Sequence, residues 1–445
     1  MALSTCYATI ESPLAKEVQL RAVPEVVDFN AFESESEVRS YCRNFDTTFD
    51  SASGSHMTDT KGHRFIDFLG GASALNYGHN DPDMASGLID YVTSGGIAHS
   101  LDLHTKAKAR FIDTFNRLVL TPRALSYRLQ FTGPTGTNAV EAALKLARKV
   151  TGRTEIVAFT NGFHGMTLGA LAATGNCHHR MGPSIQLPGV MRAFYDGYFG
   201  PGIDTASMLD QALSDPSSGF DAPAAILLET VQGEGGLNVA SPAWMQKIAD
   251  IAKRHGALLI IDDIQAGCGR TGSFFSFEPL GIEPDIVVLS KSLSGFGLPM
   301  SLVLIRPEYD QWLPGEHNGT FRGNNLAFVT ATVALEKFWS DNALMRDVKR
   351  RGALVADALT AMASHVPGSR LKGRGMMLGL DVRDGALASA ISKCCYADGL
   401  IIESAGPYDE VIKVLAPLTT PDKVLIEGLA ILSAAIAKVS TKRKD

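Results

Sequence analysis

The stretch LLIIDDIQAGCGRTG, residues 258–272, decides how this chain is read. Four apolar residues run straight into two carboxylates, Asp262 and Asp263, and the chain then turns through Gly267 and Gly269. A continuous Leu/Ile run suits a strand covered on both faces. An acid ending such a strand is costly to bury without a positive partner. Open α/β sheets bind ligands at the carboxyl ends of their strands. The next apolar run, in DIVVLSKSLSGFGLPM (residues 285–300), ends on the opposite charge, at Lys291. Alone, the acid is an ordinary capping group and the lysine an ordinary solvated one. Together they put an acid and an amine at neighbouring strand ends.

Small residues flank the amine: Ser290, Ser292, Ser294 and Gly295 leave room for a bulky ligand. A desolvated lysine is a good imine-forming nucleophile. An acid that keeps a pyridine nitrogen protonated is the second contact that pyridoxal phosphate requires. Two further segments extend the pattern. In FTGPTGTNAVEAALKLARKV (residues 131–150), Gly133, Thr135, Gly136 and Thr137 lead into a helix. Free backbone N–H groups at a helix start bind phosphate, and threonine hydroxyls add donors. In NGFHGMTLGAL (residues 161–171), Phe163 and His164 occupy a Gly-flanked loop after a strand, where an aromatic ring can stack on a flat ligand.

These four blocks, in this order, resemble the class III aminotransferases, a branch of the fold-type I pyridoxal phosphate enzymes. The likeness runs from about residue 38 to about residue 420. It implies a mostly parallel seven-stranded sheet in a large domain and a smaller α+β domain. It also implies roles. Lys291 carries the cofactor and Asp262 pairs with its ring nitrogen. Gln265 lies near the ring hydroxyl, Ile264 packs under the ring and Phe163 covers the other face, beside His164. Gly136 and Thr137 hold the phosphate. Thr320, in HNGTFRGNN, reaches it from a second subunit, which implies a homodimer with shared sites and leaves room for a tetramer.

The substrates implied are small amino acids and 2-oxo acids, exchanged in a ping-pong cycle. In SEVRSYCR, LNYGHNDP and PGEHNGTFRGNN the chain resembles one branch of that family, which implies a donor that reacts at a terminal amine, with its α-amino acid group at the far end of the pocket. Ornithine, 4-aminobutyrate and other ω-amines are competing donors, and an aminomutase is a competing reaction. Two departures bear on the choice. Many relatives place an arginine where this chain has Met166, and another where it has Lys413, in VIKVLAPLTTP. Glu234, in VQGEGG, resembles the acid that gates the second arginine. Arg322 is the candidate replacement for the carboxylate clamp, because a guanidinium binds carboxylate with two parallel bonds. An ion pair is the competing role for Arg322, and a surface or structural place for Lys413.

Working outward, strands are expected at 155–159, 224–230, 257–263, 285–290 and 301–305, with helices at 138–150 and 242–255 between them. That alternation argues for a parallel, doubly covered sheet. A hairpin is expected in HMTDTKGHRFIDFLGG, with its turn at Asp59 to Gly62. A short helix is expected over residues 33–43, with Ser34 as cap and Glu37 three places on. The domain plan is an arm (1–30), an N-terminal part of the small domain (31–70), a large cofactor domain (71–325) and a C-terminal small domain (326–445). With 445 residues, 45% apolar and 20% charged, the chain is long enough for such a pair of domains. A net charge of −6 gives no case for nucleic acid or an anionic membrane. The six cysteines lack metal-ligand spacing and suggest a reducing cytoplasm. Neither a signal peptide nor an apolar run long enough to span a bilayer is read, and STKRKD is expected to be a solvated tail.

Overall fold

The computed structural model describes residues 29–181 and 186–441. The irregular arm, apart from its last two residues, and the KRKD end of the charged tail lie outside these. The chain divides into two contact units, residues 1–46 and 47–445. In the first, the described residues form two 3-10 turns, Phe29–Ser34 and Tyr41–Asn44, and the expected helix over 33–43 is absent. Its capping box fails because the Glu37 carboxylate turns to the Arg43 guanidinium instead of a backbone N–H.

In the second unit a seven-stranded sheet runs in the order Arg128–Phe131, Leu302–Ile305, Ile286–Leu289, Leu258–Asp262, Ala225–Leu228, Ile156–Phe159, Val190–Ala193. Six strands are parallel, and Leu302–Ile305 opposes both its neighbours. The five expected strands are its interior. Every residue of these five is buried. Successive side chains of a strand point to opposite faces, so alternate residues feed two separate cores. Leu258, Ile260, Ile286 and Val288 pack with Ala139, Val140, Ala143 and Leu146 of the Gly136–Thr151 helix. Leu259, Ile261, Val287 and Leu289 pack with Met245, Ile248 and Ile251 of the Pro242–His255 helix. That helix begins at Pro242 as expected, with Ser241 capping Trp244 N.

The remaining β-structure is smaller. Arg370–Arg374, Met377–Asp381, Val411–Val414 and Glu403–Ala405 form an antiparallel sheet. The expected hairpin is present, with His56–Asp59 against Arg64–Asp67, and Leu400–Ile401 adds to it in parallel. Among the described residues one helix, Asp422–Thr441, is long and apolar enough to cross a membrane by length and composition. That corrects the expectation of no such run. Leu425, Leu429, Leu432 and Ile436 of this helix are nevertheless buried in the larger core, and Gly428 lies flat against the Phe68 ring.

Candidate active site

Strand parity separates the two carboxylates. Asp262 continues the face of Leu258 and Ile260, over the start of the Gly136–Thr151 helix. Asp263 points to the other face, where its carboxylate accepts Ser276 N at 3.0 Å and burial raises its pKa to about 7. Asp262 is 4% exposed. Its Oδ2 lies 2.7 Å from His164 Nδ1 and its Oδ1 accepts Ile264 N at 3.2 Å. His164, itself buried, is positioned by Thr174, whose hydroxyl accepts the His164 backbone N–H. The structure thus brings His164 and Asp262, named separately from the sequence, into direct contact.

Lys291 sits where the Ile286–Leu289 strand gives way to a 3-10 turn, Lys291–Ser294, and adopts a left-handed φ of 50°. Burial lowers the pKa of its amine, which favours the nucleophilic form. Its Nζ donates to Ala72 O at 3.0 Å. The same carbonyl accepts Gln265 Nε2 at 3.1 Å. Ala72 was not singled out from sequence. It belongs to a run of four residues, Gly70 to Ser73, all at positive φ, and the Gly-Gly pair before it was the available signal. Arg270 was also missed. It is fully buried and donates to Asn76 Oδ1, Met376 O and Ala416 O, tying the loop after Asp262 to the smaller sheet.

Glu229, a third unread residue, lies buried beside this group. It accepts Phe163 N at 3.0 Å and Gly233 N at 3.1 Å, and burial pushes its pKa up. It thereby holds the Phe163 loop. Phe163 is half-buried, with its ring edge-on to His179 at 5.5 Å.

Three observations test whether pyridoxal phosphate fits. No side chain caps the Gly136–Thr151 helix at Thr135, so its first N–H groups face outward for an anion. A Cβ on Gly136 would meet Ile264 Cδ1 at 2.8 Å, so Gly136 and Ile264 are in close contact at this end of the site. Gln265 Oε1 is buried without a hydrogen-bond partner, and an orphaned buried acceptor is expensive unless something donates to it. A phosphate answers the first of these and a ring hydroxyl the third, and a basic ring nitrogen would suit the buried Asp262 carboxylate.

A family model for class III aminotransferases matches residues 39–436. The chain belongs to the class III aminotransferases. It therefore depends on pyridoxal phosphate, as the site's chemistry requires. Among class III enzymes the chain is 57% identical to the diaminobutyrate–2-oxoglutarate transaminase of Vibrio cholerae, over 90% of this chain and 98% of that one. It is 54% identical to the protein of that name from Nocardia farcinica, covering 93% and 95%. The ornithine aminotransferase of Toxoplasma gondii has the same fold, with a TM-score of 0.80, 25% identity and coverage of 93% and 94%.

The other predicted residues of this aminotransferase divide into two groups. Glu234 and Lys413 join the site. Lys413 is 0% exposed, which removes the surface alternative, and its Nζ lies 2.9 Å from Glu234 Oε1 and 3.0 Å from Glu403 Oε1. Gln265 Nε2 also donates to Glu234 Oε1, at 3.0 Å. Burial alone would raise the Glu234 pKa, but Lys413 and Lys291 outweigh it and hold it at about 2. Thr320 and Arg322 stand apart within this chain. Thr320 is exposed and its carbonyl faces His99 Nε2 at 2.8 Å. Arg322 Nη1 donates to Asn318 Oδ1 at 3.3 Å and lies 3.7 Å from Asp102. Thr137 remains at the helix start, its hydroxyl 2.6 Å from that of Thr167.

Proposed function

We propose that this enzyme is a diaminobutyrate–2-oxoglutarate transaminase. It interconverts L-2,4-diaminobutyrate and 2-oxoglutarate with L-aspartate 4-semialdehyde and L-glutamate, by a ping-pong mechanism. The observation that carries the reading is identity above half over nearly the whole length of relatives bearing that name, joined to a site with its lysine, acid and glutamine in place.

Pyridoxal phosphate bound there supplies an aldehyde carbon and a ring that accepts the electron pair left when a C–H proton departs. The protein does the rest. Lys291 would hold the cofactor, and its amine would act as the base that takes the proton from the substrate carbon bearing the reacting nitrogen and gives it back. Asp262, steadied by His164, would keep a proton on the ring nitrogen. The Gly136 and Thr137 N–H groups and the Thr137 hydroxyl would hold the phosphate, Gln265 Oε1 would accept from the ring hydroxyl, and Ile264 and Phe163 would flank the ring. Thr320 would add a phosphate contact across a homodimer, and Arg322 would offer a guanidinium to a substrate carboxylate. The five described cysteines are free thiols, which supports a cytoplasmic setting. The resemblance of the sequence is to the ectoine-pathway type of this enzyme, and ectoine synthesis is one of the routes that consume diaminobutyrate.

The test is a panel of amino donors with 2-oxoglutarate and product identification. Diaminobutyrate should exceed ornithine and 4-aminobutyrate in kcat/KM, giving aspartate 4-semialdehyde and glutamate. Equal use of the three donors overturns the assignment.

A further inference from the structure

Lys413 is the most buried cation beside the reacting amine, and it is held from two sides. Glu403 stands directly opposite it in the antiparallel pairing of Glu403–Ala405 with Val411–Val414, where facing side chains interact most strongly. Glu234 approaches from the turn after Gln232, and its backbone carbonyl accepts Gly406 N at 3.0 Å, fixing that turn to the same sheet. The trio lies next to the catalytic lysine. Gln265 bridges Glu234 to the Ala72 carbonyl that Lys291 also uses.

Two acids share one ammonium. With both ionised the trio is net negative. With Glu403 protonated, as its burial favours, it is neutral. In neither state is it positive. Glutamate reacts at a carbon that also bears a carboxylate, whereas a terminal amine reacts at a plain CH2. A carboxylate beside the reacting carbon gains little from a lysine whose charge two acids already offset, and repulsion from the second acid adds to the cost.

We propose that Glu403 is a specificity-determining residue: by offsetting the charge of Lys413 together with Glu234, it biases the site toward donors that react at a terminal CH2–NH2 and against α-carboxylate donors. This rests on the transaminase reading above. Glu403 acts through Lys413 and is a positioning residue.

The experiment compares the two half-reactions of the holoenzyme, with glutamate and with diaminobutyrate as donor, followed by cofactor absorbance. Glu403→Gln releases one claim on Lys413. Lys413→Arg keeps the charge and adds donors, so both acids stay bound while a carboxylate finds a free N–H. In each variant the glutamate-to-diaminobutyrate ratio of kcat/KM should rise several-fold, carried by a lower KM for glutamate and not by kcat. A ratio unchanged in whichever variant folds, or an equal loss in both half-reactions, overturns the proposal and leaves Glu403 a structural acid. If the wild-type enzyme ignores diaminobutyrate, the donor assignment fails instead, and the same ratio taken with the terminal amine it does use still decides the role of Glu403.

Discussion

Lys291 would be an unremarkable residue on a surface. Here burial lowers its pKa, while the Glu234 carboxylate partly restores it. Lys291→Ala should lower turnover by roughly 10²–10⁴-fold or more and abolish the borohydride-reducible cofactor adduct. Retained turnover in purified variant protein contradicts the assignment. The pH behaviour follows from the same charges. The neutral amine is the reactive form, so the rate at which cofactor-free protein captures pyridoxal phosphate should rise with pH, with its inflection below the ordinary lysine range. Removing the Glu234 charge takes away a group that stabilises the ammonium. Glu234→Gln should therefore move that inflection to lower pH, and an inflection that stays or rises would show that the two groups are not coupled. At this scale Lys291 and Asp262 were legible because strand ends carry function. Glu229 and Glu403 were not, because an acid in ET or ES gives no sign of where its carboxylate is buried.

The elements explain both what was read and what was missed. The five strands read from sequence are interior strands, whose continuous apolar runs reflect burial on both faces. The two missed strands, Arg128–Phe131 and Val190–Ala193, are the edges of the sheet. Each has three residues that are not fully buried, and an arginine sits within each. Partial solvation breaks the apolar signature. The loop that carries Phe163 and His164 depends on Gly165, which adopts a φ of 130°, and a Cβ there would meet Thr137 Oγ1. Gly165→Ala should thus strain the loop by ~1–3 kcal/mol, weakening cofactor affinity by roughly 10- to 100-fold in an absorbance titration. The folded core, read by circular dichroism, should persist. Unchanged affinity would show that the loop and the phosphate turn are not packed as described.

At the scale of the whole molecule, Thr320 and Arg322 bear on assembly. Neither touches the site of its own chain, and exposed Ile97, Leu101, Leu103 and Phe321 lie on the neighbouring segments. In a homodimer with shared sites, mixing Lys291→Ala with Thr320→Val subunits should regenerate one intact site per mixed dimer and restore activity that neither variant shows alone. Mixing without recovery argues for self-contained sites. The sequence by itself determined the strand–helix alternation, from local apolar period, and the family, from its resemblance to known enzymes, and it named Lys291 and Asp262 as candidates for the cofactor lysine and acid. Only the tertiary structure decided that Asp262 and not Asp263 faces the site, that the Ala72 carbonyl and Arg270 lock the loops, and that Lys413 is enclosed by Glu234 and Glu403. The physical reason is that face, burial and charge balance are set by partners 10 to 219 residues away in sequence, and no local pattern encodes what packs against it.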